Sequence, residues 1–452
     1  MNFATPRQVL VLGGGAREHA LAWRLARDPG VERVVVAPGN PGMNAPALRD
    51  QGAVVADVAP DLDPTDPLAV VALTQRLAPD LVVLGPEAPL VAGVADALAS
   101  AGCAALGPGA AGARLEASKT FTRAVAEAAG VAMAPGRPFV TVAPALAFAA
   151  TFDWQVVVKA DGLAAGKGVT VCADRAATEQ ALREALEEGR FGPAGRSVVV
   201  EARLAGVEAS VMALCDETAI LALPAARDHK RLRDGDEGPN TGGMGAYSPV
   251  PELPDLTVAA VVAAVHAPVL DELRRRGVTF RGILYAGLML TADGPRLLEF
   301  NVRLGDPEAQ ACLPRVAVPL APLLAAAATG RLAEAARALG LPALAVLPQA
   351  PAAAVAVVLA AAGYPEQPRR GDVLDGLADA RATGSLVFAA GVGQGSGDGR
   401  LVTNGGRVVT VVGQGPDLGR AAEAAYAATD RIRFAGAQLR RDIVRTPAAV
   451  GR

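Results

Sequence analysis

The sequence predicts an α/β protein of several domains, led by a doubly wound parallel sheet and closed by a small α+β domain. Three observations predict it. Apolar strands alternate with helix-periodic segments through the first hundred residues. Near residue 118 the texture changes, and glycine-rich loops begin to separate the strands. After about residue 340 the strands are short and one helical pattern remains. A chain of 452 residues has room for two to four domains.

In chain order, QVLVLGG (8–14) reads as a strand, 17–28 as a helix and 33–39 as a second strand. Residues 66–78 suit a helix, 80–90 a strand ending in a turn, 91–102 a helix and 103–108 a short strand. This β-α-β-α order implies parallel strands. Ligands of such sheets sit at the strands' carboxyl ends, here Gly13–Gly15, Gly39–Gly42, Gly85–Glu87 and Gly107–Gly109. The middle region opens with a helix over 118–130. A strand at 155–161, a glycine loop, a strand at 169–174, a helix over 175–188 and a strand at 197–204 follow. Hairpin-like strands at 208–215 and 218–224 lead to a long polar loop over 227–249. A helix at 256–276, strands at 281–291 and 296–302, and an alanine-rich helical stretch to about 338 complete the region. The last segment holds strands at 353–359, 385–389, 400–403 and 406–412 and a helix at 417–434. No internal repeat is visible.

Composition narrows the function. Half the residues are apolar (51%) and a fifth charged (20%), which is globular usage. A net charge of -3, scarce aromatics and no basic cluster argue against nucleic acid. The N-terminus runs straight into a strand pattern, unlike a signal peptide. Alanine-rich runs such as 343–362 are broken by Pro348 and Pro351, so no membrane is expected. Four scattered cysteines without a CxxC pair predict free thiols and a cytoplasmic protein.

Four stretches carry chemistry. GGGAREH follows a strand and opens a helix, which directs backbone N–H groups at an anion. The third glycine of a dinucleotide fingerprint would fall at Glu18, and the second strand tip lacks an acid. A phosphorylated small molecule therefore suits the loop better than NAD or FAD. In KADGLAAGKGV, Lys159 and Lys167 flank glycine-rich backbone. They stand out because 39 of the 43 basic residues are arginine, and Lys119 and Lys230 complete the lysines. A compact ammonium can approach one phosphate oxygen where a flat guanidinium is too large. The strand end around Glu201 can offer backbone groups to a purine edge, with the Glu208 carboxylate for ribose hydroxyls. In LLEFNVR, Glu299 and Asn301 lie two apart and share a strand face. That pair suits Mg²⁺, and Arg303 on the same face could meet a developing phosphoryl charge.

Taken together, GGGAREHALAW, GPEAPLVAGV, SKTFTR, VVKADGLAAGKGV, DHKR, GPNTGGMGAYSP, YAGLM, LEFNVRLGDPE and LVTNGGRV resemble the phosphoribosylamine–glycine ligase family (glycinamide ribonucleotide synthetases). These are ATP-grasp enzymes of purine synthesis. The motifs run in order from residue 9 to about 408, so the resemblance is nearly full length. It implies an ATP-grasp fold with an N-terminal pre-ATP-grasp domain (1–117), an ATP-grasp domain (118–335) with a lid at about 136–205, and a C-terminal domain (340–445). It also implies ATP, Mg²⁺ or Mn²⁺, glycine and 5-phosphoribosylamine as ligands of a monomer. Position by position, ATP would be held by Lys119, Lys159, Gly166, Lys167, Glu201, Ala202, Arg203, Leu204, Glu208, Arg231 and Asn240. Metal would use Glu299 and Asn301. Gly13, Gly14, Gly15, Glu18, Gly85, Pro86, Glu87, Asp228, Gly242 and Gly243 would face the other substrates. Lys159 and Arg303 would act in catalysis. Glycine would become glycyl phosphate before the amine displaces phosphate. Two positions depart from expectation: the strand LYAGLMLT lacks a further carboxylate for metal, and Ala202 stands where a second acid would follow Glu201. Another ATP-grasp carboxylate–amine ligase of nucleotide synthesis is the alternative.

Overall fold

A computed structural model describes residues 5–46, 48, 54–56, 59–164, 168–397 and 399–444. Its N-terminal domain is built on a five-stranded parallel sheet of order β3-β2-β1-β4-β5. The strands are β1 (Gln8–Gly13), β2 (Arg33–Pro38), β3 (Val54–Ala56), β4 (Leu81–Leu84) and β5 (Ala105–Leu106). Apolar runs such as Val9–Leu12 form buried strands because helices cover both faces. The strand order reverses at β1 and β4, so the clefts beyond Gly13 and Leu84 fall at the topological switch point. The strand expected over 80–90 stops at Leu84. Residues Glu87–Val91 turn into a short helix instead, with Pro86 in extended backbone before it.

A separate antiparallel sheet consists of β6 (Gly136–Phe139), β7 (Val156–Ala160), β8 (Val169–Cys172) and β9 (Val198–Ala202), ordered β6-β9-β7-β8. Sequence reading missed β6 and the helix Val142–Ala150, whose short segments carry little periodicity. Val156, Val158, Val198 and Val200 pack with Ala145, Ala149 and Leu182 as a core separate from the rest. The alternation of β7 sends Val157 and Lys159 to the opposite face.

The central sheet runs Gly294–Asn301, Gly282–Thr291, Val207–Cys215, Ile220–Ala222 and Leu344–Val346. Its buried residues merge with those of the N-terminal domain: Val9 and Trp23 share one cluster with Leu313 and Leu324. The expected loop over 227–249 is largely strand. Gly245–Ser248 pairs with Ala353–Ala360 of the C-terminal domain, and Arg227–Asp228 lies on its other side. A sheet thus joins two domains across a stretch whose glycines and polar residues hid its pairing. The helical segment Asp255–Arg275 is long and apolar enough to cross a membrane, but half its apolar window packs inside the fold. It contains a π turn at Val262–His266.

That turn buries His266 completely, with Nε2 3.3 Å from the Val211 carbonyl. Burial pushes its imidazole from 6.5 down to about 4, and burial does the same to His229. Within that window the unfolded chain binds protons that the folded chain does not, so stability is lost as pH falls from 6.5 toward 4. Thermal melts should show a lower Tm at about pH 5 than at about pH 7, with on the order of 2 kcal/mol lost per histidine. A Tm that stays flat over this range would contradict the assignment.

Candidate active site

The N-terminal cleft is shaped by glycine geometry. Gly13 sits at φ +129, a region that favours glycine, and a Cβ there would meet Glu18 Cγ at 2.7 Å. Gly85 is bare for the same reason, since a Cβ there would strike the Glu18 carboxylate. Glu18 lies on the first turn of helix α1 (Ala16–Leu25). It accepts from Gly15 N at 2.7 Å and from Arg17 Nε at 2.7 Å. The helix entrance is therefore a carboxylate-lined notch and not the open anion cradle that the glycines suggested. His19 turns away from the cleft. Its Nδ1 accepts from Ala389 N at 2.9 Å and its ring meets Phe388 edge-on, which docks the C-terminal domain.

Arg303 crosses from the central sheet to the N-terminal domain. Its guanidinium donates to Glu87 (3.1 Å), Glu116 (2.7 Å) and Asn301 Oδ1 (3.3 Å). Glu116 also accepts from Val302 N at 2.9 Å. Burial pushes its carboxyl above the usual range, against the pull of Arg303. Sequence reading missed Glu116, because it looks like any acid on a helix. A largely apolar cavity beside Arg17, Glu18, Gly85 and Arg303 has about 30 Å³ open to the centres of water molecules.

Lys119 and Lys159 converge on the strand Gly294–Asn301. Ser118 caps the helix Lys119–Ala128 by accepting from Phe121 N, and Asp161 accepts from Ser118 Oγ and Thr120 N. This fixes the start of the helix, and Lys119 Nζ reaches Glu299 Oε2 at 2.8 Å. Lys159 Nζ donates to the Leu298 carbonyl at 2.8 Å and pairs with Glu201 at 2.6 Å. Glu201 also receives Arg123 at 2.8 Å, so its side chain is spent inside the protein. Gly166 and Lys167 lie outside the described residues.

A register shift near Gly287 opposite Leu297–Glu299 reorients the strand. Leu297 and Phe300 both enter the core, while Glu299 and Asn301 stand opposite Gly287 and Tyr285. Lys119, against the cost of burial, holds the Glu299 carboxyl well below its usual range. Two oxygen ligands, one firmly ionised, form a donor set that fits a hard divalent cation.

The third wall is polar and sequence-remote. Lys230 pairs with Glu208 at 2.8 Å, so that carboxylate carries a lysine. Asp228 lies on the neighbouring short strand, and burial pushes its carboxyl up to about 7 against the pull of Lys230. Arg231 donates to the Gly238 carbonyl at 2.7 Å, and its strand pairs with Asn240. Gly243, at φ +109, packs against Pro307. Ala202 ends β9 and Arg203 and Leu204 follow it; Ala202 N donates to the Pro135 carbonyl at 2.8 Å. Asp306, in LEFNVRLGDPE, and Arg407, in LVTNGGRV, also border this wall, 3.1 Å apart.

Comparison with known families decides the reading. The phosphoribosylglycinamide synthetase N domain matches residues 7–116, its ATP-grasp (A) domain 117–309 and its C domain 354–446. The chain belongs to the phosphoribosylglycinamide synthetase family. A phosphoribosylamine–glycine ligase of Streptomyces coelicolor is 47% identical over 96% of this chain and 98% of its own. One from Mesorhizobium japonicum is 44% identical over 96% and 97%. The crystal structure of the Thermotoga maritima phosphoribosylamine–glycine ligase superposes with a TM-score of 0.78 at 30% identity, covering 96% and 99% of the two chains. A biotin carboxylase domain of Hydrogenobacter thermophilus shares the fold at a TM-score of 0.69, 14% identity, and 96% and 92% coverage. This phosphoribosylglycinamide synthetase is an ATP-dependent ligase that joins glycine to phosphoribosylamine in purine biosynthesis, on an ATP-grasp fold with N- and C-terminal domains.

Proposed function

We propose that ligation proceeds through glycyl phosphate in the cleft between the three domains, bounded at 1–117, 118–335 and 340–445. Glycine's carboxylate attacks the γ-phosphate of ATP, ADP leaves, and the amine of 5-phosphoribosylamine displaces phosphate from the acyl carbon. Lys119 and Lys159 receive phosphate oxygens as compact charges. The backbone of 201–204 takes the purine edge, and Glu208, Arg231 and Asn240 border the nucleotide. Glu299 and Asn301 would hold Mg²⁺ or Mn²⁺, which when bound neutralises phosphate charge. Gly13–Gly15, Glu18 and Gly85–Glu87 face phosphoribosylamine, with glycine beside Asp228, Gly242 and Gly243. The Glu18 notch suits the amine and hydroxyls of that substrate better than its phosphate. Arg303, held by two carboxylates and Asn301, orients the strand end that carries the metal ligands.

The observation that carries this reading is the meeting of Lys119, Lys159, Glu299 and Asn301 on one strand from three separate segments. Free thiols at all four cysteines support a cytoplasmic location. The deciding experiment measures ADP release. Sustained turnover should need glycine and phosphoribosylamine together, and turnover with another acid in place of glycine would overturn the assignment.

The separate apolar core of 136–205 supports a lid that closes over ATP and shields the acyl phosphate from water. Limited proteolysis of this lid should slow at saturating ATP. Equal cleavage rates with and without ATP would refute closure.

A further inference from the structure

The C-terminal domain grips the substrate side of the cleft through one arginine. Arg407 opens the strand Arg407–Gly415. Its Nη1 donates to the carbonyls of Gly242 and Asp306, each at 2.6 Å, and Nη2 lies 3.1 Å from Asp306 Oδ2. Tyr364, also of the C-terminal domain, accepts from Gly242 N at 3.0 Å through its hydroxyl. Both backbone groups of Gly242 are thus spoken for by that domain. A Cβ on Gly242 would meet the Arg407 guanidinium at 3.1 Å, and one on Gly243 would meet Pro307 Cδ at 2.5 Å. Asp306 continues the chain of contacts. Gln310 donates to its Oδ1 at 2.7 Å, and a Cβ on Gly15 would lie 3.8 Å from its Oδ2. The Oε1 atom of Gln310 is buried without a partner.

We propose that Arg407 is a positioning residue of the ligation step. One guanidinium sets the spacing between the Gly242–Gly243 loop and the Asp306 turn, and so fixes the wall that faces the N-terminal glycine turn. The inference rests on the substrate assignment above. It extends that assignment to a residue that need not touch substrate. A guanidinium fork meets two carbonyls through one nitrogen and a carboxylate through another, which a lysine's single nitrogen cannot reproduce. The ATP side is held independently, because Lys119 bonds Glu299 and Lys159 bonds Leu298 and Glu201. The effect should therefore divide between substrates.

The test compares wild type with Arg407→Lys, Arg407→Met and Tyr364→Phe in the full-length protein. It uses phosphoribosylamine formed in situ from ribose 5-phosphate and ammonia. Both Arg407 variants should raise the KM for glycine, beside Gly242 and Gly243, and the KM for phosphoribosylamine, across the wall from them, by about tenfold or more while the Kd for ATP stays within about twofold. Tyr364→Phe should shift both KM values by a smaller factor. Free guanidinium ion should restore part of the loss in Arg407→Met but not in Tyr364→Phe. If Arg407→Met does not fold, Arg407→Lys and Tyr364→Phe carry the decision. A phosphoribosylamine KM within about twofold of wild type in the folded variants overturns the proposal. So does an equal loss of ATP binding, which marks a merely structural residue. Failure of the substrate assignment would look different: wild type itself would show no glycine-dependent ADP release.

Discussion

Glu299→Gln should lower kcat/KM by about a thousandfold, equivalent to about 4 kcal/mol, while the fold survives. The amide keeps the shape of the side chain and can still accept from Lys119 Nζ, now 2.8 Å from Glu299 Oε2. Only the charge is lost. That charge is unusually secure, since Lys119 holds it ionised far below ordinary carboxylate pKa values. A carboxylate so protected from protonation offers a divalent cation a constant negative partner, and an amide offers a weak one. Titrating Mg²⁺ against turnover should show a much higher metal requirement in the variant. The variant should still fold, and its Tm should fall because Lys119 loses its anionic partner, a loss that a melt reads separately from the metal requirement. Wild-type turnover at low Mg²⁺ would remove Glu299 from the metal site.

Lys159→Arg should cost about tenfold or more in ATP affinity or turnover, about 1.4 kcal/mol, although the charge is kept. The ammonium is wedged between the Leu298 carbonyl and the Glu201 carboxylate, 2.8 and 2.6 Å away, and Lys159 is only 6% exposed. A guanidinium is wider than this gap and would push strand β7 from the central sheet. Lys119→Arg should behave alike, because its nitrogen enters the same space beside Glu299. Arg433→Lys, at an exposed position, serves as the control. Arginine is the default cation of this chain, so indifference of Lys159 and Lys119 to the exchange would make the scarcity of lysine mere drift. The ATP KM and turnover of the three variants decide the matter.

Much of this was legible in the chain itself. Strand and helix alternation determined the parallel N-terminal sheet, because buried strands and amphipathic helices differ in period. The spacing of two in LLEFNVR determined that Glu299 and Asn301 share a face, and the rarity of lysine pointed to Lys119 and Lys159, which meet on that strand. Tertiary structure decided which charges remain available. The Glu201 side chain is paired with Arg123 and Lys159, and Glu208 carries Lys230. His19 stands in the N-terminal glycine motif and packs on Phe388. The polar stretch 227–249 looked like a loop and supplies a strand to the C-terminal sheet. Arg407 reaches Asp306 across 101 positions. Periodicity is a local property and survives in sequence. Pairing between charges is set by the packing of distant segments, and no local pattern encodes it.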